Sequence, residues 1–151
     1  MVPRPKLSPS SRTSRTTPTE SLGTSNAGSL QQRVSMANSW PADYFVSIHC
    51  NSNTNPAING SEVYVYQTYT QAYWLAQHIL NSLVAQAGTR DNGVRLNPSL
   101  YVLRRTAMPA VLVELGYLSN TEDARKLRDD QPGFARGIYY GLLSYFGFRP
   151  V

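Results

Sequence analysis

Apolar positions along the chain fall into two kinds of run, one recurring every three to four residues and one alternating or continuous, and the two kinds interleave. Leu30, Val34 and Ala37 share one face of a short helix that Asn38, Ser39 and Pro41 bring to an end. Tyr44 to His49 (YFVSIH) reads as a strand. Asn51 to Gly60, dense in Asn, Pro and Ser, reads as a loop, and Glu62 to Gln67 alternates as a second strand. Ala72, Leu75, Ala76, Ile79, Leu83 and Val84 recur at helical spacing, with Gly88 where a left-handed C-terminal cap belongs. Tyr101 to Arg104 is predicted as a short strand. Ala110 to Leu115 (AVLVEL) is a continuous apolar run of the kind buried on both faces of a parallel sheet. Asn120 or Thr121 caps a helix through Leu127, and Phe134, Ile138, Leu142 and Tyr145 mark a closing amphipathic helix. The order α, β, β, α, β, β, α, α predicts an α/β fold, a mostly parallel sheet flanked by helices.

Before Ser29 the pattern changes. Residues 1–28 are rich in Ser, Thr and Pro without apolar periodicity and read as a flexible basic arm, leaving residues 29–151 as one domain. The formal charge of +5 is concentrated there: Arg4, Lys6, Arg12 and Arg15 give residues 1–19 a sum of +4, so the remainder carries +1. A basic tail without interleaved aromatics is no nucleic-acid surface, and none is expected as a partner. Ten tyrosines with only 15% charged residues fit an uncharged polar surface that meets sugars or peptides. One cysteine, Cys50, rules out an internal disulfide. No apolar run has the length of an export signal or a membrane span.

Two polar residues interrupt the apolar strands. His49 closes the first and Glu114 lies inside Val-Leu-Val-Glu-Leu, and burying either without a partner costs several kcal/mol. His49 reads either as a core histidine bonded to a carbonyl or, at a strand end before a polar loop, as a zinc ligand. Glu114 reads either as the partner of Arg104 or Arg105, or as a general acid/base whose pKa is raised by its surroundings. Cys50 points to the opposite face from His49 and is expected to pack rather than react. His78, away from the apolar stripe of its helix, is expected to face solvent. No Gly-x-Ser-x-Gly elbow, phosphate loop or His-Glu-x-x-His is present, which removes the serine hydrolase, nucleotide and thermolysin-like classes.

Four ordered blocks carry a resemblance: LQQRVSMAN (30–38), FVSIHCN (45–51), YVLRRT (101–106) and MPAVLVELGYLSN (108–120). Together they resemble the amidase_3-type N-acetylmuramoyl-L-alanine amidases, over about Ser29 to Phe146. The resemblance implies a zinc-dependent α/β hydrolase that cuts the amide between N-acetylmuramic acid and L-alanine of peptidoglycan, in the cell wall, periplasm or outside the cell. It makes His49 the family's last zinc ligand and Glu114 its catalytic glutamate, with Asn51 and Arg104 as substrate contacts. The family's two earlier ligands, a histidine after its first strand and a glutamate opening its first helix, have no counterpart here. Glu20 does not match the latter. The chain is therefore expected to lack the family's first strand and helix, to expose a central sheet edge, and to hold Zn2+ incompletely, since a catalytic zinc takes three protein ligands. Three readings remain open: an active amidase, an inactive truncated remnant that at most binds peptidoglycan, and a site completed by another chain. The oligomeric state is not legible in the sequence.

Overall fold

The computed structural model describes residues 26–149. The basic residues 4–15 and Glu20, which carried expectations above, lie outside them. The elements in chain order are helix α1 (Asn26–Ser39), strands β1 (Phe45–Asn51) and β2 (Ser61–Val65), helix α2 (Gln71–Ala87), strand β3 (Asp91–Leu96), helix α3 (Tyr101–Arg105), strand β4 (Ala110–Tyr117) and helices α4 (Thr121–Asp129) and α5 (Gln131–Tyr145).

The four strands form one sheet in the order β1-β4-β2-β3. β1 runs parallel to β4 and β2 parallel to β3, while β2 and β4 are antiparallel. The apolar run Ala110–Val113 is buried because β4 has neighbours on both sides and helices on both faces. On one face α2 and α5 cover Val63, Val65, Val111 and Val113 with Leu75, Ile79, Leu83 and Phe134. On the other, α1 and α3 cover Ala110 and Leu112 with Val34, Val102 and Leu103. The result is a three-layer α/β/α arrangement. Two glycines of α5 bring it close to α2: a Cβ at Gly137 would sit 2.7 Å from the Leu83 Cα, and one at Gly141 only 2.5 Å from the Ile79 Cα.

Several sequence expectations change. Tyr101–Arg105 is a helix, not a strand. The Asn97 turn before it, with Leu100 N–H donating to the Asn97 carbonyl, starts a helical path that Leu103 and Arg104 continue by bonding back to Leu100. Five residues are too few for periodicity to separate the two states. β3 was absent from the sequence reading because Asp-Asn-Gly carries a turn signal. Gly93 takes a left-handed φ of 84° within an edge strand whose register slips beside it. Gly88 caps α2 with φ 64° as predicted, and the Asn120 side chain caps α4 by accepting from the backbone N–H groups of Glu122 and Asp123. The expected exposed edge is present: among the described residues β1 has no strand on its outer side, and Ile48 there is 53% exposed.

Candidate functional site

The two registers through β4 set the site. His49 on β1 pairs with Glu114 on β4, and Glu114 pairs across β4 with Glu62 on β2. Paired residues of neighbouring strands point to the same face. A row His49–Glu114–Glu62 therefore crosses the sheet near the carboxyl ends of β1 and β4, on the face that α1 and α3 partly cover.

Each member of the row is held differently. The His49 Nε2 shares a 2.8 Å hydrogen bond with the Ser47 hydroxyl, two residues back on the same face. Burial and then the positive charge of Arg33 lower its pKa, which favours the neutral imidazole, the form that ligates a metal. Glu114 is pushed up to about 7, first by burial and then by the charge of Glu62. Its Oε2 is buried and has no hydrogen-bond partner, and neither Arg104 nor Arg105 pairs with it. The ion-pair reading of Glu114 is thereby set aside.

Glu62, only 1% exposed, is the opposite case. Its Oε1 accepts from Asn51 Nδ2 at 2.9 Å, from the Tyr64 hydroxyl at 2.8 Å and from the Tyr117 hydroxyl at 3.2 Å, while Oε2 meets the Arg95 Nε at 2.8 Å. These donors come from all four strands. Burial first, and then the nearby carboxylate, push both tyrosine hydroxyls above their ordinary range, so they stay protonated and keep donating. The loop after β1 is anchored from below. The buried Asp123 carboxylate accepts from Gly60 N–H at 2.7 Å and Tyr117 N–H at 2.9 Å.

Of the residues singled out from sequence, His49 and Glu114 come together. Asn51 stands beside them, with Nδ2 bonded to Glu62 and Oδ1 accepting from Ser52 N–H. Arg104 lies apart, in the last turn of α3, lining a cleft with Thr70, Pro109 and Ala110 at the other end of β4. Cys50 does point away from His49, but it is exposed rather than packed, at the border of an open groove that it lines with Leu115, Leu127 and Ile138. His78 is partly buried between helices, bonded to the Ser144 hydroxyl at 2.9 Å and edge-on to Tyr145. Glu62, Arg95, Tyr117 and Ser47 were missed. In an alternating strand, Glu62 and Tyr64 look like the solvent side, and only the helices on both faces reverse that reading.

The described residues do not complete a metal site. Among them no group of three His, Cys, Asp or Glu side chains converges, and His49 is the one imidazole in the row.

Comparison with known proteins is consistent with this geometry. The chain is 43% identical over 122 residues to the N-acetylmuramoyl-L-alanine amidase LytC of Bacillus subtilis, a match covering 78% of this chain and 24% of that protein. It is 35% identical to a sporulation-specific N-acetylmuramoyl-L-alanine amidase of the same organism, over 80% of this chain and 47% of the relative. Among solved structures, the catalytic domain of the amidase CwlV from Bacillus (Paenibacillus) polymyxa superposes with a TM-score of 0.71 at 38% identity, covering 80% of this chain and 66% of that domain. The CwlD amidase of Clostridioides difficile, solved with the lipoprotein GerS, gives 0.75 at 27% identity, covering 80% and 63%. The chain thus spans just under two thirds of these solved structures and a smaller part of the curated relatives. Residues 9–144 match the family model described as N-acetylmuramoyl-L-alanine amidase, and the chain belongs to that family.

Proposed function

We propose that this chain is the C-terminal portion, from about residue 29, of a catalytic domain that hydrolyses the amide between N-acetylmuramic acid and L-alanine in peptidoglycan, acting at the cell wall. The observation that carries the reading is the Glu114 carboxyl. It stands inside a buried strand, one oxygen has no partner, and burial raises its pKa to about 7. A carboxyl poised near neutrality accepts a proton from an attacking water and returns it to the departing alanine nitrogen, which ordinary carboxylates do poorly. Asn51 and, further away, Arg104 are proposed substrate contacts.

The family's zinc supplies an activated water when bound. His49 has the chemistry of one ligand, neutral and at the strand end. The remaining ligands must come from outside residues 26–149 or from another chain, because the described residues do not furnish them. That shortfall also supports a second reading, a domain that binds peptidoglycan without cleaving it.

The test is release of stem peptide from purified peptidoglycan by the 151-residue protein with and without zinc, beside Glu114→Gln. Zinc-dependent release that the variant loses supports hydrolysis. Binding to peptidoglycan without release in either protein supports the second reading, and no binding at all sinks both.

A further inference from the structure

The proposed hydrolysis does not use Arg95, and its setting is unusual for a surface arginine. Its side chain is 52% exposed, yet its Nε is tied at 2.8 Å to Glu62, whose side chain is 2% exposed. Glu62 does not depend on Arg95 alone, since its other oxygen accepts from Asn51, Tyr64 and Tyr117. The negative charge is spread over four donors. Arg95 is fixed at one nitrogen, and among the described residues no acid other than Glu62 pairs with it. A guanidinium locked on one side and open on the other has its rotamer entropy already spent, and its remaining N–H fork matches a carboxylate.

Its position matches that geometry to a peptide. Arg95 pairs with Tyr64 on the neighbouring strand, so it shares the face of Tyr64 and Glu62, and Glu62 faces Glu114 across β2 and β4. Two strand spacings, about 10 Å, separate β3 from β4. Arg95 also stands two positions back from Glu114, level with Tyr64 and Leu112, and its side chain makes up that offset by reaching along the sheet to Glu62. Two extended residues span about 7 Å. With an amide held at Glu114, a stem peptide that runs across β2 toward β3 brings its second residue near Arg95. In peptidoglycan that residue is a glutamate linked through its side chain, whose main-chain carboxyl is either free or amidated.

We infer that Arg95, oriented by Glu62, is a specificity-determining residue that binds the free carboxylate of the second stem residue, so that the domain distinguishes carboxylate from amidated peptidoglycan. This rests on the amidase reading above.

The experiment is calorimetric binding of two soluble probes, N-acetylmuramoyl-L-alanyl-D-glutamate and its D-isoglutamine counterpart, to the 151-residue protein. The wild type is expected to bind the carboxylate form about tenfold more tightly, the range of a charge-assisted pair. Arg95→Gln equalises the two, Arg95→Lys keeps part of the preference, and Arg125→Gln, an exposed arginine paired with Glu122 on α4, leaves it unchanged. Melting curves confirm that each variant folds. Equal affinities in the wild type, or a preference that survives Arg95→Gln, overturn the inference alone. If neither probe binds the wild type, the amidase reading falls and takes this inference with it.

Discussion

At the scale of single residues, the two carboxyls facing each other across β2 and β4 divide the tasks. Glu62 is surrounded by donors from all four strands, while Glu114 lacks a partner at Oε2 and holds its proton to about pH 7. A carboxyl that titrates at 4.5 when unfolded and near 7 when folded binds its proton more tightly in the fold. Its contribution is complete below pH 4.5 and is lost as pH rises through 7. Because the group is partly solvated, the loss is discounted to about 1 kcal/mol. Glu114→Gln should then melt about 2–4 °C higher than wild type at pH 8 and equal it at pH 4, read by thermal scans at both values. A constant offset at both would refute it. Glu62→Ala should cost about 3–5 kcal/mol in urea unfolding, since it strands Asn51, two hydroxyls and Arg95 at once. His49 and Glu114 were legible in sequence because each breaks an apolar run. Glu62 was not, because its strand alternates as a half-exposed strand does.

At the scale of elements, the long helices and β4 were readable because each carries enough apolar residues to show a period or a continuous run. α3 and β3 have five and six residues, and their state is set by what they lie against. Tight helix packing left a trace in composition alone, the glycines at 137 and 141. Elsewhere a helical Gly→Ala substitution stabilises by up to about 1 kcal/mol. Here Gly141→Ala should destabilise by about 1–3 kcal/mol in chemical denaturation, as its Cβ meets the Ile79 backbone at 2.5 Å. Asn120→Ala removes the α4 cap and the bond from Asn120 Nδ2 to the Pro56 carbonyl, 2.8 Å long. It should cost about 1 kcal/mol. Because Asp123 in that first turn also holds Gly60, faster amide exchange at Gly60 should accompany the loss.

At the scale of the whole molecule, the feature with the largest consequence is the outer side of β1. Its backbone groups face no described strand, and Ile48 and Cys50 border a groove of about 480 Å³ lined further by Leu115, Leu127, Phe134 and Ile138. An apolar edge strand beside an apolar groove templates pairing with other chains. The 151-residue protein alone is therefore expected to self-associate with rising concentration and to bind a dye that reports exposed apolar surface. Ile48→Lys places a charge in the middle of that edge without touching the row His49–Glu114–Glu62, since Ile48 points to the opposite face. It should lower light scattering and dye binding severalfold while shifting the melting temperature by no more than about 2 °C, because a half-exposed position contributes little to the core. Scattering that persists in Ile48→Lys would locate the sticky surface elsewhere. A melting temperature that collapses would mean instead that Ile48 is covered in solution, and that the open edge of β1 already has an occupant.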